Sequence, residues 1–206
     1  MLGKLSSHFS QFLDTKPTPP VPFGYKMGWI AVRSTDINAV VGLLPVRSQR
    51  TASWHDGIEA AYKGGSVFIT PPVNGWLCIV GDWAAGFNDQ HPVELIEKRI
   101  IEISSRFREA HAYATHRVVE YHHWMMAREG RIIRCFAYMG ESGEVLCNIG
   151  SITDAERNLS FSALPTDQWI PDEQDVLTVA SGWSFDPSQL SRASAPAALG
   201  IIARLK

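Results

Sequence analysis

The sequence predicts an α+β fold: a mainly antiparallel β-sheet with a long amphipathic helix packed on one face and several short helices. Three stretches carry that expectation. Ser66–Gly81 reads SVFITPPVNGWLCIVG, two apolar runs around Asn74-Gly75, a pair that tolerates the positive φ of a tight hairpin turn. Pro92–Glu109 places Val93, Ile96, Ile100, Ile103 and Phe107 at helical spacing on one face. Ala112–Gly150 reads as successive antiparallel strands, with turns at Glu129-Gly130 and Ser142-Gly143.

The remaining elements follow in chain order. Leu2, Leu5, Phe9 and Phe12 predict a short amphipathic helix over residues 3–13, and the prolines that follow it make an extended connector. Residues 1–22 are therefore an N-terminal helical arm with a Pro-rich linker, and residues 23–206 a single α+β domain. Met27–Arg33 is a strand, and Ser34-Thr35-Asp36 caps a helix carrying Ile37, Val40, Val41 and Leu44, stopped by Pro45. Ser53 with Asp56 opens a second helix that Gly64-Gly65 stops. Asp89 is the expected cap of the long helix, with Pro92 in its first turn and Glu94–Lys98 and Glu102–Arg106 as pairs on its polar side.

Further on, pairing outward from Glu129-Gly130 sets Met126 against Ile133 and Trp124 against Cys135. Thr153 and Glu156 form a capping box for a short helix through Leu159. Asp172, Glu173 and Asp175 suit the first turn of a last helix carrying Val176, Val179, Ala180 and Trp183. The tail RASAPAALGIIARLK is either docked or mobile.

Composition narrows the function. The chain of 206 residues is 45% hydrophobic, enough to fill a core, and its formal net charge of −2 lacks the basic surplus of a general nucleic-acid binder. No stretch reaches the roughly 18 apolar residues of a membrane span. The opening MLGKLSSHFSQFLD has no secretory apolar core, so a cytoplasmic location is expected. Cys78, Cys135 and Cys147 each sit in an apolar run and read as small buried thiols in a reducing compartment.

Chemistry-bearing residues concentrate between His111 and His123. On a continuous strand over residues 116–122, His116, Glu120 and His122 would share a face, and two imidazoles with a carboxylate suit zinc or iron. A metal-dependent hydrolase is accordingly the alternative reading. The competing one packs these histidines against Trp124, Phe136 and Tyr138. A Cys135–His123 dyad is a weaker option, because a thiolate is disfavoured among apolar neighbours. The sequence contains no G-x-S-x-G elbow, phosphate-binding glycine loop or H-E-x-x-H pair. No catalytic residue, metal ligand set or cofactor is assigned on motif grounds. Of the seven tryptophans, Trp76, Trp83 and Trp169 stand beside loops, where an aromatic can anchor a partner.

The stretches VFITPPVNGWLCIVG, THRVVEYHHWMMAREGRIIRCFAYMGESGEVLCNIG and DEQDVLTVASGWSFDP, spanning residues 27–190, resemble a group of uncharacterised bacterial proteins. These are similar in size and style to immunity proteins that accompany antibacterial toxins of contact-dependent or type VI secretion systems. The resemblance implies a non-enzymatic cytoplasmic binding protein that neutralises a cognate toxin by direct contact, with neither nucleic acid nor membrane as partner. The contact is expected on three loops, through Pro72, Asn74 and Trp76, through Asp82, Trp83 and Asp89, and through Glu141 and Glu144. A scaffold or homodimer is the third reading.

Overall fold

A computed structural model of the chain describes residues 16–87, 89–157, 159 and 170–206. The helix expected over residues 3–13 and the loop carrying Trp169 lie outside them. The first half of the chain alternates strands and helices: β1 (Gly28–Val32), α1 (Ile37–Leu43), β2 (Val46–Ala52), α2 (Trp54–Lys63), β3 (Val67–Ile69), β4 (Leu77–Val80), α3 (Asp82–Ala85) and α4 (Pro92–Phe107). The second half is a meander of β5 (Glu109–His116), β6 (Tyr121–Arg128), β7 (Arg131–Met139) and β8 (Glu144–Ile149). It closes with α5 (Asp154–Arg157), α6 (Glu173–Trp183) and β9 (Gly200–Leu205). Among the described residues the strands form one antiparallel sheet, ordered β2-β9-β3-β4-β1-β5-β6-β7-β8.

Helices cover both faces of this sheet. α4 buries Val93, Ile96, Ile100 and Ile103 over Ala110, Ala112, Met125, Ala127 and Ala137. The alanines let the helix approach closely, and each large α4 side chain buried contributes about 1.5–3 kcal/mol. α1 adds Val40 and Val41 to the same layer. The opposite face is aromatic: Trp29, Phe68, Tyr113, Trp124 and Phe136 lie under α2 and α6. Alternation along each strand explains the division, because Ala110 and Ala112 point one way and His111 and Tyr113 the other.

Several caps follow the sequence logic. Asp36 accepts from Ala39 N, Ser53 from Asp56 N, and Asp172 and Asp175 form a reciprocal box at α6. The cap of α4 differs: His91 occupies that position without a side-chain bond, while Asp89 accepts from His91 N two residues away. The helix stops at Phe107 because Arg108 turns to φ 69°, and Glu109 already belongs to β5. Both two-residue turns have positive φ at their central residues, 51° and 82° at Asn74-Gly75 and 47° and 75° at Glu129-Gly130.

Three features depart from the expectations. Outward from Arg128↔Arg131 the β6–β7 register shifts between Met126 and Ala127, so Met126 pairs with Arg134, Met125 with Cys135, and Trp124 with Phe136. One extra residue at this bulge turns Arg134 and Phe136 onto the face of Trp124. The polar segment VRSQRTA is an edge strand, β2, with an outer row of exposed side chains. The C-terminal tail is neither mobile nor merely docked: as β9 it sits between β2 and β3, pairing Ile202 with Phe68 and with Arg50. The linker is also anchored, since Thr18 bridges Ala198 and its hydroxyl accepts from Trp54 N at 3.0 Å. No helix of the described residues is long and apolar enough to cross a membrane.

Candidate functional site

The hairpins assign the expected contact residues to opposite ends of the sheet. One end gathers His116 and Tyr121, paired across the β5–β6 turn, with Met139 and Glu144 across the β7–β8 turn. These two turns are tied together, Gly140 N donating to Glu120 O at 2.9 Å and Glu141 N to Val119 O at 3.2 Å. α3 approaches the same end because Gly28 has no Cβ, a position where one would collide with the Ala85 backbone. Asp82, Trp83, Asp89, Glu141 and Glu144 therefore lie around this end. Pro72, Asn74 and Trp76 lie at the other, since Leu77 pairs with Val32 and Val32 with Ala110.

A cleft of ≈ 440 Å³ opens at the first end, within the size range of small-ligand and side-chain pockets. Phe87, Val119, Met139 and Leu146 give it an apolar surface, while Asp89 and Glu94 give it acid. Phe87 stands edge-on to His116, with ring centroids 4.9 Å apart, and to Tyr121 at 6.1 Å. His116 Nδ1 is buried with no hydrogen-bond partner among the described residues. Beneath the cleft, Tyr121 Oη lies 2.9 Å from His123 Nδ1. Burial, then the neighbouring His122, pushes the His123 imidazole down to about 3, and burial pushes the Tyr121 phenol up. Both stay neutral near pH 7, far from the matched values that proton transfer requires. Tyr121 lines the cleft, and the pair makes a poor acid or base. Exposed Asp89 supplies negative charge at the cleft, and exposed Glu141 and Glu144 supply it on the β7–β8 turn at the same end of the sheet.

Asp82 and Trp83 are half-buried. The Arg99 guanidinium lies over the Trp83 indole at 4.2 Å and donates to the Trp83 carbonyl, so this tryptophan is already engaged within the chain.

At the opposite end Pro72 and Asn74 are exposed, but Trp76 is only 4% exposed. Its indole is tilted over the His111 ring at 4.7 Å with the Arg33 guanidinium 5.0 Å above, because the Val73–Trp76 bridge turns it inward. Trp76 thus belongs to the core, whereas the sequence places it beside an exposed loop. Below it His111 Nε2 lies 3.0 Å from Glu109 Oε1, and Tyr113 Oη lies 3.3 Å from His111 Nδ1 and 3.3 Å from Ser184 Oγ. Burial lowers His111, leaving a neutral ring. Its bond, with help from Arg128, holds Glu109 down to about 2.

The metal triad does not assemble. Residues 117–120 form a turn, not strand, so His116 pairs with Tyr121 on the α4 face while His122 pairs with Thr115 on the α6 face. Glu120 stays with His122, its Oε2 3.3 Å from Nε2. Burial lowers the His122 imidazole. The Cys135–His123 dyad does not form either: the two share a face as diagonal neighbours, but the Cys135 sulfur is joined to Cys147 and His123 Nδ1 lies 2.9 Å from Tyr121 Oη.

Cysteine geometry corrects another expectation. Cys78 is a free buried thiol, but Cys135 and Cys147 are joined as a disulfide with Cα atoms 6.1 Å apart. They lie diagonally across β7 and β8, where Ala137 opposes Cys147 and Cys135 opposes Ile149.

Sequence reasoning missed one buried polar assembly. Glu156 accepts from Arg134 Nε at 2.8 Å, from Arg134 Nη2 at 2.7 Å and from Trp124 Nε1 at 2.8 Å. Arg134 also donates to Cys135 O, Asn148 Oδ1 and Ile149 O, each at 2.8 Å. An arginine inside the apolar run RIIRCFAYM was its only visible signal. The cleft residues Phe87, Tyr121 and Met139 gave none.

Comparison of the chain with protein-family models, with curated proteins and with solved structures returned no match.

Proposed function

We propose that this protein is a non-enzymatic binding protein of the toxin-immunity kind, acting in the cytoplasm and neutralising a cognate antibacterial toxin by direct contact. The observation that carries the proposal is the apolar cleft lined by Asp89 and Glu94 on its acidic side, with Glu141 and Glu144 exposed on the β7–β8 turn at the same end of the sheet. Such a surface fits a basic side chain flanked by apolar groups on a folded partner. The carboxylates steer the encounter, and the apolar floor supplies the desolvated anchor pocket. A stable complex would bury at least about 1,200 Å², so the partner would extend beyond the cleft over the β7–β8 turn.

Co-expression with the product of the immediately upstream reading frame tests the reading. The expected result is restored growth of cells that the neighbouring protein alone would poison, together with a co-purifying complex. Neither protection nor complex would remove the proposal.

A further inference from the structure

We propose that Cys135, Cys147 and Glu97 form a soft-metal site, of the class that takes zinc, when the disulfide is reduced. Glu97 projects from α4 toward β8, and its carboxylate oxygen and the two sulfurs all lie within 4.8 Å of one another. Cys147 Sγ and Glu97 Oε1 are 3.8 Å apart. Two thiolates on one zinc at about 2.3 Å each stand roughly 3.8 Å apart in a tetrahedron, a separation that cysteines at this diagonal cross-strand spacing reach by side-chain rotation. Thiolate pairs select zinc over magnesium or calcium, and a site with three protein ligands leaves its fourth position to water.

The position of Glu97 favours this reading over a permanent structural crosslink. A disulfide gains nothing from a half-buried carboxylate beside its sulfurs, whereas a divalent cation gains a third ligand and charge balance. Cys135 is buried, while Cys147 and Glu97 are half-buried on the side of the edge strand β8, which gives the ion a path. The chemistry balances with a cellular thiol as reductant. Two thiols deliver two electrons and two protons to the Cys135–Cys147 bond and become a disulfide themselves. The cation then displaces both cysteine protons to solvent as it binds. A cellular disulfide reverses the sequence: it takes two electrons from the two thiolates and two protons from solvent to become two thiols, the Cys135–Cys147 bond re-forms, and the metal is released. This inference is independent of the toxin partner.

The test uses the full chain, reduced with a dithiol that is then removed by anaerobic gel filtration, and titrated with Co²⁺ and with Zn²⁺ in competition. The reduced protein should take one equivalent of Co²⁺ with a thiolate-to-cobalt charge-transfer band, and the oxidised protein none. Cys147→Ser should abolish the band, Glu97→Gln should weaken zinc binding at least tenfold while the fold is retained by circular dichroism, and Cys78→Ala should leave the band in place. Absence of stoichiometric binding by the reduced protein overturns the proposal. So does a band that survives Cys147→Ser, or an unchanged affinity in Glu97→Gln.

Discussion

Replacing Glu156 with Gln should destabilise the protein more than any surface substitution, because it strands a buried cation. Arg134 is 1% exposed and Glu156 fully buried. The carboxylate meets two guanidinium nitrogens, the Trp124 indole N–H, and the backbone and hydroxyl of Thr153, both at 2.9 Å. An amide preserves the shape but cannot balance the charge. Removing one partner of a buried pair costs about 3–5 kcal/mol. Three oxygen acceptors from β7 and β8 remain for Arg134, which places Glu156→Gln toward the lower value and Glu156→Leu toward the upper. For a chain of this size, about 3–5 kcal/mol corresponds to a Tm lower by about 6–20 °C. Adding Arg134→Met to Glu156→Leu should recover more than half of the loss, since no uncompensated charge is left. Recovery stays incomplete because the Trp124 N–H loses its acceptor, at about 1–3 kcal/mol. Thermal and urea unfolding of the wild type, Glu156→Leu, Arg134→Met and the double variant gives the coupling directly. A loss below about 1 kcal/mol in Glu156→Leu would refute the reasoning, as would additive single effects in the cycle.

Acid should unfold the protein early. The unfolded chain protonates His111, His122 and His123 near 6.5, whereas burial lowers all three in the folded state, His123 to about 3. Unfolding therefore takes up protons below about pH 6.5, and stability falls with pH by up to about 1.4 kcal/mol per unit for each site. Glu109 adds to the trend below its ordinary range, because its carboxylate is held down to about 2. A urea midpoint unchanged between pH 7.5 and 5 would contradict these assignments. Trp76→Ala should cost about 3–5 kcal/mol as a core truncation. Asn74→Ala at the exposed tip should cost far less, and mainly through its positive φ of 51°. Equal effects in urea unfolding would put Trp76 back at the surface.

The sequence readily disclosed what depends on neighbours along the chain. Asn74-Gly75 and Glu129-Gly130 turn where expected because positive φ is a local demand, and Asp36, Ser53 and Asp172 cap because their acceptors reach amides two or three residues away. Long-range partners were not legible. β2 and β9 find each other across more than a hundred residues, and the polar run VRSQRTA shows no apolar alternation because only an edge accepts it. The bulge beside Met126 leaves no compositional mark, yet it decides that Arg134 faces Glu156 and that Cys135 faces Met125. The same limit applied to the candidate site. Exposed Asp89, Glu141 and Glu144 could be named from their loops, but the turn at residues 117–120 that separates His116 from His122 had to be seen in three dimensions.

The proposed function places partner binding at the acidic cleft end of the sheet and not at the Asn74 end. Calorimetric titration with the purified upstream protein tests this most directly, comparing the wild type, the triple variant Asp89→Lys, Glu141→Lys, Glu144→Lys, and the double variant Pro72→Ala, Asn74→Ala. Affinity should be at least tenfold weaker in the triple variant and unchanged in the double. Equal affinity in the triple variant and the wild type, or a loss confined to the double variant, would contradict it.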